Sequence, residues 1–318
     1  MITEPLVSVC CLTYNHVKYV GQCLEGFACQ KTNFPFEILI HDDASQDDTQ
    51  NVILEFAAKY DSEVVKPICQ KINQFSQGIS PLRQILLPRV KGKYIALCEG
   101  DDYWTDPLKL QKQVDFLEAH PEYAMCFHNV KVIAEEGCRA EPDIYAHLRD
   151  GDFTGEQIIS RWTVPTCSVV FRKSCLDRLP NHPDFKIGDN VLFLTCASCG
   201  KLYCLNEKMG VYRRNAGGWT SQSTQKVAKD FIRHYEAMKV CFQMISACIF
   251  DHKIVSFYGL LTLLQFCRFD PELRQTVCKG FESYGFRYLG SCIGWGVRKC
   301  YDHIRKFFRN GTRHTFRK

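Results

Sequence analysis

Apolar residues come in short bursts along the first third of the chain, and the bursts alternate between two spacings. Leu6–Thr13, Phe36–His41 and Tyr94–Cys98 are near-continuous hydrophobic runs of strand length. Such runs mark strands covered on both faces. Between them, Tyr19–Cys29 places Val20, Leu24, Phe27 and Ala28 at helical spacing, and Thr49–Tyr60 does so with Val52, Ile53, Phe56 and Ala57. Ser45 and Asp47, just upstream, are capping candidates. A strand near Val64–Ile68 and a helix near Leu82–Val90 follow, and Leu108–His120 reads as a helix between Pro107 and Pro121. This alternation over residues 6–120 predicts a parallel α/β sheet.

The remainder is more mixed. Ala124–Val132, Ser168–Phe171, Lys201–Leu205 and Gly210–Tyr212 read as strands, and Asn190–Ser198 as a helix. After Ser221 the pattern becomes helical throughout: Lys226–Phe250, Val255–Cys267 and Pro271–Tyr284. A boundary near residue 222 is expected. The chain shows no internal repeat and no low-complexity segment.

Two acidic clusters, about 60 residues apart, each follow one of the apolar runs. His41-Asp42-Asp43-Ala44-Ser45 follows the second strand, and Glu99-Gly100-Asp101-Asp102 follows Tyr94–Cys98. Open α/β sheets bind ligands beyond the carboxyl ends of their strands. Both clusters are therefore expected at one crevice. Adjacent carboxylates repel one another, and a divalent cation or ligand hydroxyls relieve that repulsion. The pattern points to a metal-bridged phosphate ligand carrying a sugar or ribose.

Composition changes this picture in three places. The net charge is +5, but residues 291–318 hold eight Lys or Arg against the single acid Asp302, so that tail is +7 and the rest of the chain is −2. The body is thus no basic nucleic-acid binder. The tail also carries Trp295, Tyr301, Phe307, Phe308 and Phe316, the mixture of an interfacial segment on an anionic membrane. The 19 cysteines sit mostly within apolar runs, no signal peptide is expected before them, and they are expected as buried thiols in a reducing compartment. Cys196-Ala197-Ser198-Cys199 has CxxC spacing without a matching second pair, so helix packing is its expected role. No apolar stretch reaches the roughly 20 residues that span a bilayer. The ten histidines show no HxxxH or HExxH spacing, so none is assigned to a metal.

Four motifs in order carry a family resemblance. Leu6–Asn15, Asp42–Thr49, Gly92-Lys93-Tyr94-Ile95 with Asp101-Asp102, and Thr166–Lys173 with Gly188-Asp189, Gly200-Lys201-Leu202 and Val211-Tyr212-Arg213 resemble the family 2 glycosyltransferases over roughly residues 5–222. The resemblance implies an inverting enzyme of the GT-A fold, a Rossmann-like, mostly parallel sheet flanked by helices. Residues 1–222 would form that domain, 223–290 a helical extension and 291–318 the basic aromatic tail.

The same resemblance implies roles for particular residues. Thr13 and Asn15 would meet the nucleotide base, Asp43 would accept from its ring N–H, and Asp101 would face the ribose. Asp102 would hold Mn2+ or Mg2+, and Asp189 would be the general base. Asn215 departs from the commonest form, which has His there; its amide oxygen can ligate a hard cation but cannot carry a proton. Tyr103 and Trp104, beside the metal motif, are candidate sugar contacts. Asn215-Ala216-Gly217-Gly218-Trp219 has the glycines and aromatic of a lid, with Trp219 a further candidate contact.

The expected partners are a nucleotide-sugar donor, a UDP-sugar first among them, and a glycan or lipid-linked acceptor. The expected place is the cytoplasm, at the inner face of the cell membrane. Two other readings stand beside this one. A nucleotidyltransferase also uses paired acids and Mg2+, but usually carries a Gly-rich Lys/Arg phosphate loop after its first strand, where this chain has Thr13-Tyr14-Asn15-His16-Val17. A non-catalytic sugar-nucleotide-binding protein on the same fold would lack the metal Asp or the base, and both are present.

Overall fold

A computed structural model describes residues 4–135, 138, 144–161, 163–186, 188–215, 225–268, 276, 278–280 and 282–284. They divide into two compact units, one comprising 1–181 with 187–218 and the other 182–186 with 219–318. The boundary expected near 222, the lid candidate Gly217-Gly218 with Trp219, and the tail 291–318 all lie outside the described residues.

In the first unit the apolar runs become neighbouring strands. β1 (Val7–Thr13) pairs in parallel with β2 (Phe36–Asp42) on one side and β4 (Tyr94–Glu99) on the other, and β3 (Val65–Cys69) extends the sheet beyond β2. Helices α1 (Val20–Ala28) and α2 (Thr49–Ala57) supply the crossovers. The chain moves outward from β1 to β3, then returns to β1's other edge as β4. The topological switch point therefore lies between β1 and β4, and such sheets bind ligands there, beyond the strand ends. Register aligns those ends, with Thr13 opposite Asp42 and Leu12 opposite Glu99.

The second half of the sheet is mixed. β5 (Tyr103–Trp104) leads through α3 (Lys109–Ala119) to β6 (Tyr123–Ala134); then come β7 (Gly151–Phe153), α4 (Gly155–Ser160), β8 (Val170–Arg172), α5 (Gly188–Cys199) and β9 (Lys201–Arg214). The order across the sheet is β3-β2-β1-β4-β8-β6-β9-β5, with β7 also on β9. β8 runs antiparallel to β4 and β6, whereas β6 and β9 are parallel. Gly92 matters at the start of β4: a Cβ there would stand 2.6 Å from the Ser8 amide nitrogen.

Several elements differ from the sequence expectation. Leu82–Val90 is no α-helix but a π turn at Pro81–Leu86 followed by a 3-10 turn at Leu87–Arg89; Pro88 brings no N–H to continue a helix. Lys201–Leu205 and Gly210–Tyr212 are one strand, because β6 pairs along the whole of β9 and takes up the polar Asn206–Lys208 stretch through register shifts. Trp104, a candidate sugar contact, is a core residue, 2% exposed. Its indole meets Phe27 edge-on at 4.7 Å and donates from Nε1 to the Cys167 carbonyl at 2.7 Å, and Lys109 Nζ stands 3.9 Å from its centroid. No ring face is left for a ligand.

The second unit holds α6 (Gln225–Cys241) and α7 (Ala247–Arg268). The single helix expected over Lys226–Phe250 is broken at 242–246, where Phe242 and Ile245 both turn inward. Phe231 stacks on Phe257 at 4.7 Å and Lys239 bonds Asp251 at 2.6 Å, tying the two helices together. Segment 182–186 belongs to this unit; the Lys186 amide donates to buried His234 Nδ1 at 3.2 Å.

Candidate active site

The first acidic cluster is built as a knot. Asp42, at the end of β2, is fully buried. Its Oδ2 accepts from the Thr13 and Ser45 hydroxyls, and its Oδ1 from the Ser45 amide and Gln50 Nε2. Four donors satisfy its lone pairs, so Asp42 holds the loops together and has little capacity left for a ligand. Thr13 shares that role: its hydroxyl also contacts the His41 carbonyl, and its side chain is 3% exposed.

Across the knot, the β1–α1 loop is clamped to the β2–α2 loop. Asn15 and Ala44 both have positive φ, 56° and 62°. Asn tolerates that region through local hydrogen bonding, whereas Ala there is strained, and such strain gathers at functional sites. The Asn15 amide donates to Ser45 Oγ, and Asn15 Oδ1 accepts from the Gln46 amide, both at 2.8 Å. Asp47 Oδ2 accepts from Val17 N, and Thr49 Oγ1 from His16 N. The Asp43 carboxylate takes the Gln74 and Phe75 amides at 2.7 and 3.0 Å, pinning loop 73–75 beside the β2 end. Tyr14 and Phe75 stay 43% and 59% exposed on these two loops.

The second cluster carries the unbalanced charge. Carboxylate oxygens of Glu99, Asp101 and Asp102 lie within 4.8 Å of one another. Gly100 permits this turn to close on β1: a Cβ there would stand 2.5 Å from Thr13 Cγ2. Asp102 is 1% exposed; its Oδ1 accepts from the Arg213 amide at 2.7 Å, while Oδ2 is buried without a hydrogen-bond partner. A buried carboxylate with an orphaned oxygen, beside two other carboxylates, is the arrangement a hard cation would complete.

The protonation energetics agree. Burial first, then the fields of Asp101 and Glu99, hold Asp102 well above the usual carboxylate range. Glu99 stays exposed to solvent at the end of β4; loss of bulk water first, then the fields of Asp101 and Asp189, push it up to about 8. Perturbed carboxylates in a cleft are characteristic of functional sites.

Two residues from β9 and its end brace this turn. Arg213 Nε donates to the Asp101 carbonyl at 2.8 Å and an η nitrogen to Gln22 Oε1 at 2.8 Å; its guanidinium carbon lies 4.7 Å from the Tyr19 ring and 5.5 Å from Tyr103. Asn215 Nδ2 donates to Asp101 Oδ2 at 2.7 Å, so this side chain engages the acidic turn through its amide nitrogen. His16 Nε2 stands 4.0 Å from the same Asp101 oxygen.

Asp189 occupies the first turn of α5. Its Oδ1 accepts from the Asn190 amide at 2.8 Å and its Oδ2 from Thr166 Oγ1 at 3.2 Å. Burial raises its pKa above the usual range. Its field reaches Glu99, so the start of α5 lies near the acidic turn.

The structure thus brings Asp101, Asp102, Asp189 and Asn215 together with Tyr103 at the rim, and uses Thr13 and Asn15 to hold loops. Glu99, Arg213 and Thr166 were not assigned site roles from the sequence. Glu99 was the legible one: it ends a buried strand two residues before the acid pair. Arg213 and Thr166 became visible only through their bonds to Asp101 and Asp189.

Residues 8–178 match the model of glycosyl transferase family 2. The chain belongs to that family. An uncharacterised protein of Mycobacterium tuberculosis is 40% identical over 225 residues, which are 69% of this chain and 62% of that protein. The match thus spans about three fifths of that relative's length. A second relative, the UDP-Glc:alpha-D-GlcNAc-diphosphoundecaprenol beta-1,3-glucosyltransferase WfaP of Escherichia coli, is 35% identical over 36% of this chain and 41% of its own. Among solved structures, TarS of S. aureus (residues 1–349, in complex with UDP-GlcNAc) superposes with a TM-score of 0.62 at 16% identity, covering 86% of this chain and 79% of that one. The fold of the family 2 chain is therefore GT-A.

Proposed function

We propose that this family 2 chain is an inverting, metal-assisted glycosyltransferase that moves a sugar from a nucleotide-sugar donor to an acceptor hydroxyl. One observation carries the reading: carboxylate oxygens of Glu99, Asp101 and Asp102 lie within 4.8 Å of one another, Asp102 keeps a buried, unpartnered oxygen, and the separately held Asp189 is near enough for its field to reach Glu99. A ligand that brings both negative phosphates and a reacting hydroxyl needs those two kinds of carboxylate.

Mn2+ or Mg2+ held by Asp102, with Asp101 or Glu99 beside it, would neutralise the charge on the departing nucleoside diphosphate. Asp102 Oδ2 supplies the ligand oxygen, and the Arg213 amide on Oδ1 keeps it turned that way. Loops 14–17 and 43–49, with loop 73–75, would receive the nucleoside: Tyr14 and Phe75 offer exposed rings, and Asp43 retains lone-pair capacity beyond its two amide donors. Asp189 would take the acceptor proton from the opposite face of the sugar. Thr166 and the Asn190 amide hold it still, and its raised pKa brings its basicity nearer neutral pH, where a general base works best.

TarS in its UDP-GlcNAc complex and WfaP, named for a UDP-glucose donor and a diphosphoundecaprenol-linked acceptor, support a UDP-sugar and a glycan or lipid-linked acceptor. Work at an inner membrane face, through the basic tail, belongs to the same proposal. The decisive experiment is a screen of nucleotide sugars for hydrolysis, with MnCl2 or with chelator, read by mass spectrometry. Release of a nucleoside diphosphate from one donor, lost on chelation, is the expected result. Release of pyrophosphate from a nucleoside triphosphate and a sugar phosphate would point to nucleotidyl transfer instead.

A further inference from the structure

His16, in the β1–α1 loop, buries a ring nitrogen that makes no hydrogen bond. The loop fixes its backbone from both sides: the amide donates to Thr49 Oγ1 at 2.9 Å, and the carbonyl accepts from the Tyr19 and Val20 amides at 2.9 and 2.8 Å. The imidazole lies against the acidic turn, where a Cβ on Gly100 would stand 3.0 Å from its Nδ1. Tyr19 meets the ring edge-on at 6.3 Å. Nδ1 is the buried nitrogen without a partner. Nε2 stands 4.0 Å from Asp101 Oδ2, and the two side chains are only 20% and 15% exposed. That same carboxylate oxygen accepts from Asn215 Nδ2 at 2.7 Å.

Packing alone gives no reason for an imidazole here. A buried polar atom without a partner loses its hydration and gains nothing in return, so an apolar ring would serve the fold better. The surroundings also decide where the ring proton sits. On Nδ1 it would be buried without an acceptor, whereas on Nε2 it faces a carboxylate. The 4.0 Å separation is longer than a hydrogen bond, and closing it by about 1 Å would make one.

We infer that His16 is a positioning residue for the metal site: in the loaded site its Nε2–H joins the Asn215 amide on Asp101 Oδ2, and the two donors hold the Asp101 carboxylate beside Glu99 and Asp102. The inference rests on the metal-assisted reading above and adds to it the side chain that steadies the acidic turn. Carboxylates at a metal site are themselves hydrogen-bonded, and losing such a partner weakens metal binding roughly 10–100-fold. His16 and Asn215 suit that task because they reach one oxygen from two separate segments, the loop after β1 and the residue that follows β9. Gly100 leaves room for the ring to do so.

The test titrates UDP into the full chain by calorimetry, once in MnCl2 and once in chelator, so that binding is read without turnover. His16→Phe keeps a planar ring and removes both nitrogens. It should weaken UDP binding in MnCl2 roughly 10–100-fold and leave binding in chelator within about twofold, because the lost contact acts through the metal site. His16→Gln, whose amide nitrogen reaches where Nε2 stood, should recover most of the loss. Should His16→Phe fail to fold, the unsubstituted chain labelled with 15N-histidine decides: MgCl2 with UDP must shift the His16 ring nitrogens, and UDP in chelator must not. UDP affinity of His16→Phe in MnCl2 within about threefold of the parent, short of that range, overturns the inference. An equal loss in chelator, a loss that His16→Gln does not recover, or unshifted ring nitrogens overturn it as well. If MnCl2 adds nothing to UDP binding by the unsubstituted chain, the metal reading itself falls, and this inference with it.

Discussion

Replacing Asp102 by Asn separates the two demands placed on the acidic turn. Glu99, Asp101 and Asp102 have carboxylate oxygens within 4.8 Å of one another, and at an effective dielectric of about 20 two unit charges at that distance repel by about 3.5 kcal/mol. Protonation at neutral pH discounts this: Asp102 and Glu99 both titrate well above the usual carboxylate range, so part of the repulsion is already relieved by a bound proton. Neutralising Asp102 should therefore gain about 1–2 kcal/mol, which for a unit of this size corresponds to a Tm increase of roughly 2–8 °C. Asn keeps an oxygen for the Arg213 amide, so the turn should stay folded. It also puts N–H groups where a cation would sit. The metal-free variant should therefore melt higher than the unsubstituted chain, while the stabilisation that MnCl2 gives through binding to the folded state disappears. Thermal unfolding in chelator and in MnCl2 reads both effects. A variant that melts lower in chelator, or that keeps the Mn2+ shift, would refute the placement of the metal on Asp102.

The pH dependence has a definite sign. Folding raises Glu99 from 4.5 to about 8, so the folded chain binds more protons than the unfolded one between those values, and this contribution to metal-free stability should fall as pH rises from about 5 to 8. Mn2+ affinity, measured by titration calorimetry with UDP, should rise over the same window as the proton leaves; a flat profile would contradict the crowding of Glu99. Asp189→Asn should leave donor affinity within about twofold and cut turnover by roughly 10²–10⁴, the usual contribution of a general base; turnover within about threefold of the parent would mean another group takes the proton. Trp104→Ala should destabilise the first unit by about 3–5 kcal/mol, as large aromatic deletions in a core do, whereas Tyr103→Ala at the rim should leave the denaturant midpoint nearly unchanged. Removing residues 291–318 should weaken sedimentation with anionic vesicles at low salt but spare donor hydrolysis, since each basic residue near such a surface contributes up to about 1 kcal/mol and salt screens it; equal sedimentation of both forms would dissociate the tail from membranes.

Local chemistry made much of this molecule readable in advance. Continuous apolar runs of strand length appear as β1, β2 and β4, because a strand buried on both faces tolerates few polar residues. The acid pairs at their ends were legible for the same reason: a strand stops where charge begins, and two such stops were assigned to one crevice. Other features depended on neighbours distant in sequence. Trp104 reads as a rim aromatic by its place beside Asp102, yet Phe27, Lys109 and the Cys167 carbonyl enclose it. Adjacent Asp42 and Asp43 look alike, but four donors saturate the first and two amides leave capacity on the second. Glu99 joins the carboxylate trio only because β4 ends against β1 at Leu12. Periodicity and residue chemistry reach a few positions along the chain, so the sequence by itself determined the strands and helices of the parallel half, β1, α1, β2, α2 and β4, and which residues carry charge. Only the tertiary structure decided which of those charges and rings share a site, because burial and pairing come from the strand order and the packing of remote segments.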